Sequence, residues 1–396
     1  MNFPLLSSAP LASWRWAVPA LALGLSLAGC NSPQNAESGA AGNTSTTDGI
    51  SAADTAASSM ATNGPEAIKP SGPAPAWAPN ISPQMQAVIE KLEKLQGPTP
   101  PEKLPVAEVR KAPSPADAAM AVMADFHVQA PPSKLDTMSK MIAPGLKARI
   151  YTPQGATGPL PVVVYYHGGG WVIATIDTYD SSVRALAEKS GAIFVSVAYR
   201  QAPEHKFPTA HNDAFTAYQW VLNNAASIKG DPKRVAVAGE SAGGNLAAAV
   251  CMMARDKGVM QPKHQLLVYP IAGYDLNTPS YQKNANAKPL SKPFMAWFFD
   301  KYLRTPADGK NPLISLVTAP NLKGLAPATV IGAGIDPLMS EGKTYADKLQ
   351  AAGIPVKYQL YDNVTHEFFG MGAVVPSAMQ AEELAAGELK KSLMAQ

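Results

Sequence analysis

The chain has 396 residues and a formal net charge of +3, with 46% hydrophobic and 16% charged residues. That is apolar material for one large catalytic-sized domain with appendages, and no basic run exceeds two residues, which excludes a nucleic-acid footprint. There is no H-E-x-x-H, no pair of neighbouring cysteines and no histidine cluster, so neither a metal site nor a cofactor is expected.

In chain order, Trp16 to Ala28 is an uncharged stretch behind Arg15, too short to span a bilayer comfortably and of the size of a signal-peptide apolar region. It runs into Leu27-Ala28-Gly29-Cys30, which resembles the bacterial lipobox. Residues 1–30 therefore read as a lipoprotein signal peptide with Cys30 as the lipidated residue; the competing reading is an ordinary signal cleaved near Ala28, or an uncleaved anchor. Each buried CH₂ of an acyl chain contributes about 0.8 kcal/mol, so a multiply acylated Cys30 would hold the protein at a membrane. Asn31 stands where some bacteria carry the aspartate associated with inner-membrane retention, which favours the outer membrane. Cys251 then has no partner, no disulfide is expected within the chain, and Val250 and Met252 beside it mark it as a small core residue.

Residues 31–80 are rich in Ala, Ser, Thr, Gly, Asn and Pro with few large hydrophobes, so the composition predicts a disordered tether. Ser82-Pro83 reads as a helix N-cap followed by proline at the first helical position, and Met85, Val88, Ile89, Leu92 and Leu95 recur at helical spacing. A second short helix is predicted over Pro115 to Phe126. From about Gly145 the pattern becomes strands alternating with helices. The β-branched or aromatic runs are 147–151, 162–166, 193–198, 235–238, 266–269, 329–333 and 356–361, with helical segments around 182–189 and 214–223. That alternation predicts a mostly parallel α/β sheet covered on both faces, with ligands bound beyond the carboxyl ends of the strands. The segment 274–313 breaks the rhythm, carrying Phe294, Trp297, Phe298, Phe299 and Tyr302 with no strand. It packs either into the core or over a cleft.

The chemistry centres on Gly239-Glu240-Ser241-Ala242-Gly243, where an apolar run ends and an alanine-rich helical run begins. This is the G-x-S-x-G nucleophile elbow, whose glycines let strand and helix close beneath a strained serine. A serine hydroxyl needs a neutral imidazole to take its proton, and the imidazole needs a carboxylate to fix its tautomer. Of six histidines, His366 follows the last strand; Asp336 follows the strand at 329–333, where it can also serve as a helix N-cap. The order Ser241, Asp336, His366 is that of α/β-hydrolases. Three glycines after the strand at 162–166 leave backbone N–H groups open to a developing oxyanion. Gly168, Gly169, Gly170 and Ala242 form the expected oxyanion hole, with Gly169, Gly170 and Ala242 as donors and Gly168 shaping the loop. His167 is expected to pin that loop rather than act as base.

These motifs identify a family. His167-Gly168-Gly169-Gly170, Tyr199-Arg200-Gln201-Ala202-Pro203-Glu204-His205, Gly239 to Gly244, Asp336-Pro337-Leu338 and His366 together resemble the hormone-sensitive-lipase-like (bacterial family IV) carboxylesterases. The resemblance implies an α/β-hydrolase fold with an eight-stranded, mostly parallel sheet and a helical cap. The cap would come from N-terminal helices at 81–135 and an insertion at about 274–313 within a catalytic domain at 136–396. It further implies hydrolysis of short- to medium-chain acyl esters through an acyl-enzyme. The family often has an aspartate where this chain has Ser340 and a glycine where it has Glu367, which bears on acyl-chain preference. Competing readings are a long-chain lipase or amidase, and a hydrolase-fold protein that binds a small molecule without turnover; such binding proteins lack the catalytic histidine. The sequence does not choose between a monomer and a homodimer.

Overall fold

Strands that are apolar on both faces must be covered on both sides, and here the cover comes from helices of alternate connections. The computed structural model describes residues 64–130 and 132–394. Three helices come first: α1 (Pro83–Gln96), α2 (Val106–Val109) and α3 (Pro115–Asp125). Then follow β1 (Leu135–Ala143), β2 (Leu146–Pro153), β3 (Leu160–Tyr166), α4 (Asp180–Ser190), β4 (Ile193–Ala198), α5 (Thr209–Asn224), β5 (Gly230–Glu240) and α6 (Ala242–Asp256). The remainder is β6 (Gln265–Val268), α7 (Pro279–Lys283), α8 (Lys292–Tyr302), β7 (Ala328–Ile335), α9 (Met339–Ala351), β8 (Val356–Thr365) and α10 (Pro376–Met394).

The eight strands form one sheet in the order β1-β2-β4-β3-β5-β6-β7-β8, antiparallel at β1-β2 and β2-β4 and parallel elsewhere. The period of two along β3 sorts its side chains. Val162, Val164 and Tyr166 join an apolar cluster with Ala214 and Tyr218 of α5 and Leu246 and Val250 of α6. Val163 and Tyr165 face the other cluster, with Val183 and Leu186 of α4 and Leu389 of α10. Cys251 is free and fully buried in the α6 face. The carboxyl ends of β3, β5, β7 and β8 lie along one rim of the sheet, where parallel α/β folds bind their ligands.

The edge strand β1 is one that the apolar runs do not reveal. Its sequence Leu135-Asp136-Thr137-Met138-Ser139-Lys140 is mostly exposed, as an edge strand with one neighbour can be. The helix α1 begins as its sequence predicts, with the Ser82 hydroxyl accepting from Met85 N and Pro83 behind it. Met85, Val88, Ile89 and Leu92 are buried, whereas Leu95, next to last in the helix, is 43% exposed.

The expected tether at 31–80 is corrected over its last part. Residues 64–80 pack on α1: Ile68 is fully buried, Ala78 is buried, and Trp77 packs on the same cluster as Val88 and Ile89. Glu90 accepts from the amides of Ser71 and Gly72, and the Gln86 amide donates to the carbonyls of Gly72 (2.8 Å) and Pro73 (3.0 Å). Composition averaged over fifty residues hides two large hydrophobes, and the prolines at 65, 70, 73, 75 and 79 reduce the entropy that ordering costs. The rest of the tether and the signal peptide with Cys30 lie outside the described residues. Among the described residues no helix is long and apolar enough to cross a membrane.

Ile68→Ala removes a fully buried side chain and is expected to destabilise the fold by about 2–4 kcal/mol. A urea unfolding curve checks this; an unchanged midpoint would show that 64–80 is not part of the folded body.

Candidate active site

The elbow forms because β5 and α6 approach more closely than any side chain would permit. A Cβ on Gly239 would meet Gly243 O at 2.2 Å, and one on Gly243 would meet Tyr166 O at 1.9 Å. Ser241 takes the left-handed φ of 56° between them, the kind of conformation that costs about 1–3 kcal/mol and persists only where the surroundings impose it. Here its amide donates to Val268 O at 2.9 Å, which ties the elbow to the end of β6.

Ser241, Asp336 and His366 meet at the rim. His366 Nε2 is 2.9 Å from Ser241 Oγ, and its Nδ1 is 2.7 Å from Asp336 Oδ2. A carboxylate accepts only, so Nδ1 carries the proton and Nε2 is left to accept the Ser241 hydroxyl. Asp336 is fully buried, and its other oxygen accepts from Leu338 N at 2.8 Å, so the carboxylate also caps the turn into α9. Burial pulls the His366 pKa down, but the charge and hydrogen bond of Asp336, with Glu367 and Glu240 behind them, outweigh it and raise the pKa above the usual histidine value.

The oxyanion loop leaves β3 directly above the elbow. The amides of Gly169, Gly170 and Ala242 donate to no acceptor among the described residues; Gly169 and Gly170 line the cleft with Ser241, and Ala242 follows the serine in the chain. Gly168 shapes the loop, because a Cβ there would lie 2.2 Å from Tyr179 Oη. His167 pins it: Nδ1 donates to Gly168 O at 2.8 Å, and the ring stacks on Tyr199 at 4.3 Å. The Tyr199 hydroxyl donates in turn to His167 O. Burial pushes the His167 pKa down to about 4, so this ring stays neutral; its contacts are with Gly168 and Tyr199, whereas the ring that meets Ser241 is that of His366.

Several supporting residues carry little signal in the sequence. Asn284 donates from Nδ2 to Asp336 O at 3.0 Å, holding the acid's loop from the 274–313 segment. Ser340 Oγ accepts from Ser280 N, so the serine stapled there ties α7 to the turn behind Asp336. Glu240, next to the nucleophile, is fully buried and accepts from the hydroxyls of Tyr165 and Tyr269. Burial and the nearby Glu367 push its pKa up to about 8 against those two donors. The Tyr269 ring lies 4.5 Å from the His366 ring. Two of these could draw notice from the sequence, Glu240 by its position inside the elbow and Ser340 where the family often has an aspartate; the tyrosine partners of Glu240 come from distant parts of the chain.

A cavity of about 480 Å³ opens over Ser241 and His366, within the usual size of small-ligand sites. One wall is Leu290, Phe294, Met295 and Phe298; another comes from the segment between Val109 and Met120. The 274–313 segment thus does both things its sequence allows, since Tyr302 stacks on the buried Trp171 at 4.5 Å while Phe294 and Phe298 line the cleft. Arg110 links the N-terminal segment to the oxyanion loop, donating to Val172 O and Ala202 O and pairing with Glu204 at 2.8 Å.

Glu367 is one charge that raises the His366 pKa, and the base must be neutral to act. Glu367→Gln should therefore lower that pKa and move the acid limb of the kcat/KM profile to lower pH. A limb that stays in place or moves upward contradicts this electrostatic role.

A family model described as alpha/beta hydrolase fold matches residues 163–370. Carboxylesterase NlhH of Mycobacterium tuberculosis is 40% identical over 253 residues, which span 63% of this chain and 79% of that protein. Ethyl acetate hydrolase of Pseudomonas putida is 33% identical over 236 residues, spanning 59% of this chain and 74% of that one. The solved structure of a thermostable esterase from Pseudomonas putida matches with a TM-score of 0.74 and 34% identity, covering 81% of this chain and 99% of that one. With the eight-stranded sheet, the elbow and the glycine loop already in place, these likenesses agree with the motif reading: the chain belongs to the α/β-hydrolase family and, within it, to the hormone-sensitive-lipase-like carboxylesterases.

Proposed function

We propose that this carboxylesterase acts on short- to medium-chain acyl esters, with Ser241 as nucleophile. His366 Nε2 takes the Ser241 proton as Oγ attacks the ester carbonyl, while Asp336 stabilises the imidazolium that forms. The amides of Gly169, Gly170 and Ala242 stabilise the oxyanion of the tetrahedral intermediate, each such donor being worth about 10²–10³ in turnover. His366 then protonates the departing alcohol. Water enters in its place and gives a proton to His366 as it attacks the acyl-enzyme; His366 returns that proton to Ser241 Oγ as the bond to the acyl carbon breaks and the acid leaves. The observation that carries this reading is the single His366 ring hydrogen-bonded to both Ser241 and Asp336. The preference for shorter chains is supported by the size of the cavity, about 480 Å³, and by the bulky Phe294, Met295 and Phe298 that line it.

Ser241→Ala is expected to lower turnover of p-nitrophenyl butyrate by about 10⁴-fold or more with an unchanged thermal midpoint. The butyrate ester is expected to be cleaved faster than the palmitate ester by the native enzyme. Full activity in Ser241→Ala would reject the nucleophile, and faster palmitate cleavage would favour a lipase.

We further propose that Cys30 is lipidated and tethers the enzyme to a membrane, the outer one in a bacterium with two. The support is the sequence Leu27-Ala28-Gly29-Cys30 after an uncharged stretch. In detergent phase partitioning the native protein is expected in the detergent phase and Cys30→Ser in the aqueous phase; native protein in the aqueous phase would overturn the tether.

A further inference from the structure

We propose that Glu367 reads the alcohol half of the ester, favouring leaving groups with a cationic head and disfavouring anionic ones. The inference rests on the reading in which His366 returns a proton to the leaving alcohol. That alcohol oxygen must then lie within about 2.6–3.2 Å of His366 Nε2. Glu367 Oε1 is 3.8 Å from the same nitrogen, so the first atoms of the alcohol pass beside this carboxyl.

The carboxyl is held there. Glu367 has a left-handed φ of 66°, and the Tyr179 hydroxyl donates to Oε1 at 2.6 Å. Its Oε2 accepts from no described residue, and the side chain is 19% exposed and lines the cavity, so that oxygen is open to a ligand. The other charged groups of the cavity wall are mostly committed. Arg110 pairs with Glu204, Asp177 with Arg149 at 2.5 Å, and Asp117 accepts from the Ser114 amide at 2.7 Å. Lys111 also lines the cavity, but it is exposed, where water and salt screen it. Burial raises the Glu367 pKa against the pull of His366 and the Tyr179 hydroxyl, so its negative charge at the leaving-group side grows as pH rises. The apolar wall of Leu290, Phe294, Met295 and Phe298 carries no charge to compete with Glu367.

Three butyrate esters of similar shape test this: 2-(trimethylammonio)ethyl, 3,3-dimethylbutyl and 2-sulfoethyl. They differ only in the charge of the alcohol, and kcat/KM reports acylation, the step in which that alcohol leaves. At about pH 8 and low salt, where the carboxyl is more fully ionised, a unit charge several ångströms from Glu367 should raise kcat/KM over the neutral ester by about five- to tenfold. The anionic ester should fall below the neutral one by a similar factor, and Glu367→Gln should bring the cation-to-anion ratio to within about twofold of unity. Glu367→Gly, a residue suited to this φ, repeats the measurement should the glutamine variant fail to fold. A native enzyme without charge preference, or a ratio retained in both variants, overturns the inference. Labelling by a fluorophosphonate separates it from the catalytic reading: an enzyme that labels but ignores alcohol charge loses only the role of Glu367, whereas one that does not label loses Ser241 as nucleophile too.

Discussion

The site depends on one imidazole reaching two partners from separate strands. Ser241 follows β5, Asp336 follows β7 and His366 follows β8, yet the His366 ring bridges the other two at 2.9 and 2.7 Å. Only a sheet of fixed register can hold three strand ends to that tolerance. The parallel pairing of β5 with β6, β6 with β7 and β7 with β8 sets that register, with Gly239 opposite Leu267 and Ile335 opposite Thr365. A slip by one residue would turn each catalytic side chain away from the rim.

Around this line, one group of buried polar side chains is hydrogen-bonded across distant parts of the chain. His211 accepts the Tyr302 hydroxyl at Nδ1 and meets Asn245 Oδ1 at 3.0 Å through Nε2, joining α8 to α5 and to the helix that carries the nucleophile. Asn245 donates onward to the carbonyls of Ile271 and Ile314. Burial pushes the His211 pKa down to about 4, so its tautomer is fixed by these contacts and it stays neutral. A satisfied network of this kind rigidifies what it touches, and what it touches is the cleft wall and the N-terminal turn of α6. The strain at Ser241 is thus maintained by its surroundings, the close approach at Gly239 and Gly243 and the bond to Val268 O, rather than by local preference.

The elbow, the glycine loop and the chain order of serine, acid and histidine were legible because each is a short local pattern with a mechanical cause. The glycines at 239 and 243 could be read from the sequence since any Cβ there strikes backbone. What stayed hidden was long-range. Strand β1 is polar and exposed, and the anchoring of 64–80 rests on Ile68 and Trp77 amid a composition that otherwise resembles a linker. The tyrosines that hold Glu240 and Glu367, and the Asn284 that braces Asp336, are separated from their partners by 29 to 188 positions, and no spacing rule connects them. Glu367 stood out only as a departure from the family's usual glycine.

On the proposed mechanism, a carbonyl reacting at Ser241 places its oxygen among three backbone amides. A crystal structure of the enzyme after reaction with a p-nitrophenyl alkylphosphonate tests it most directly. Phosphorus is expected on Ser241 Oγ, with the phosphoryl oxygen within hydrogen-bonding distance of the amides of Gly169, Gly170 and Ala242. Phosphorus on another residue, or a phosphoryl oxygen turned away from those amides, would contradict it.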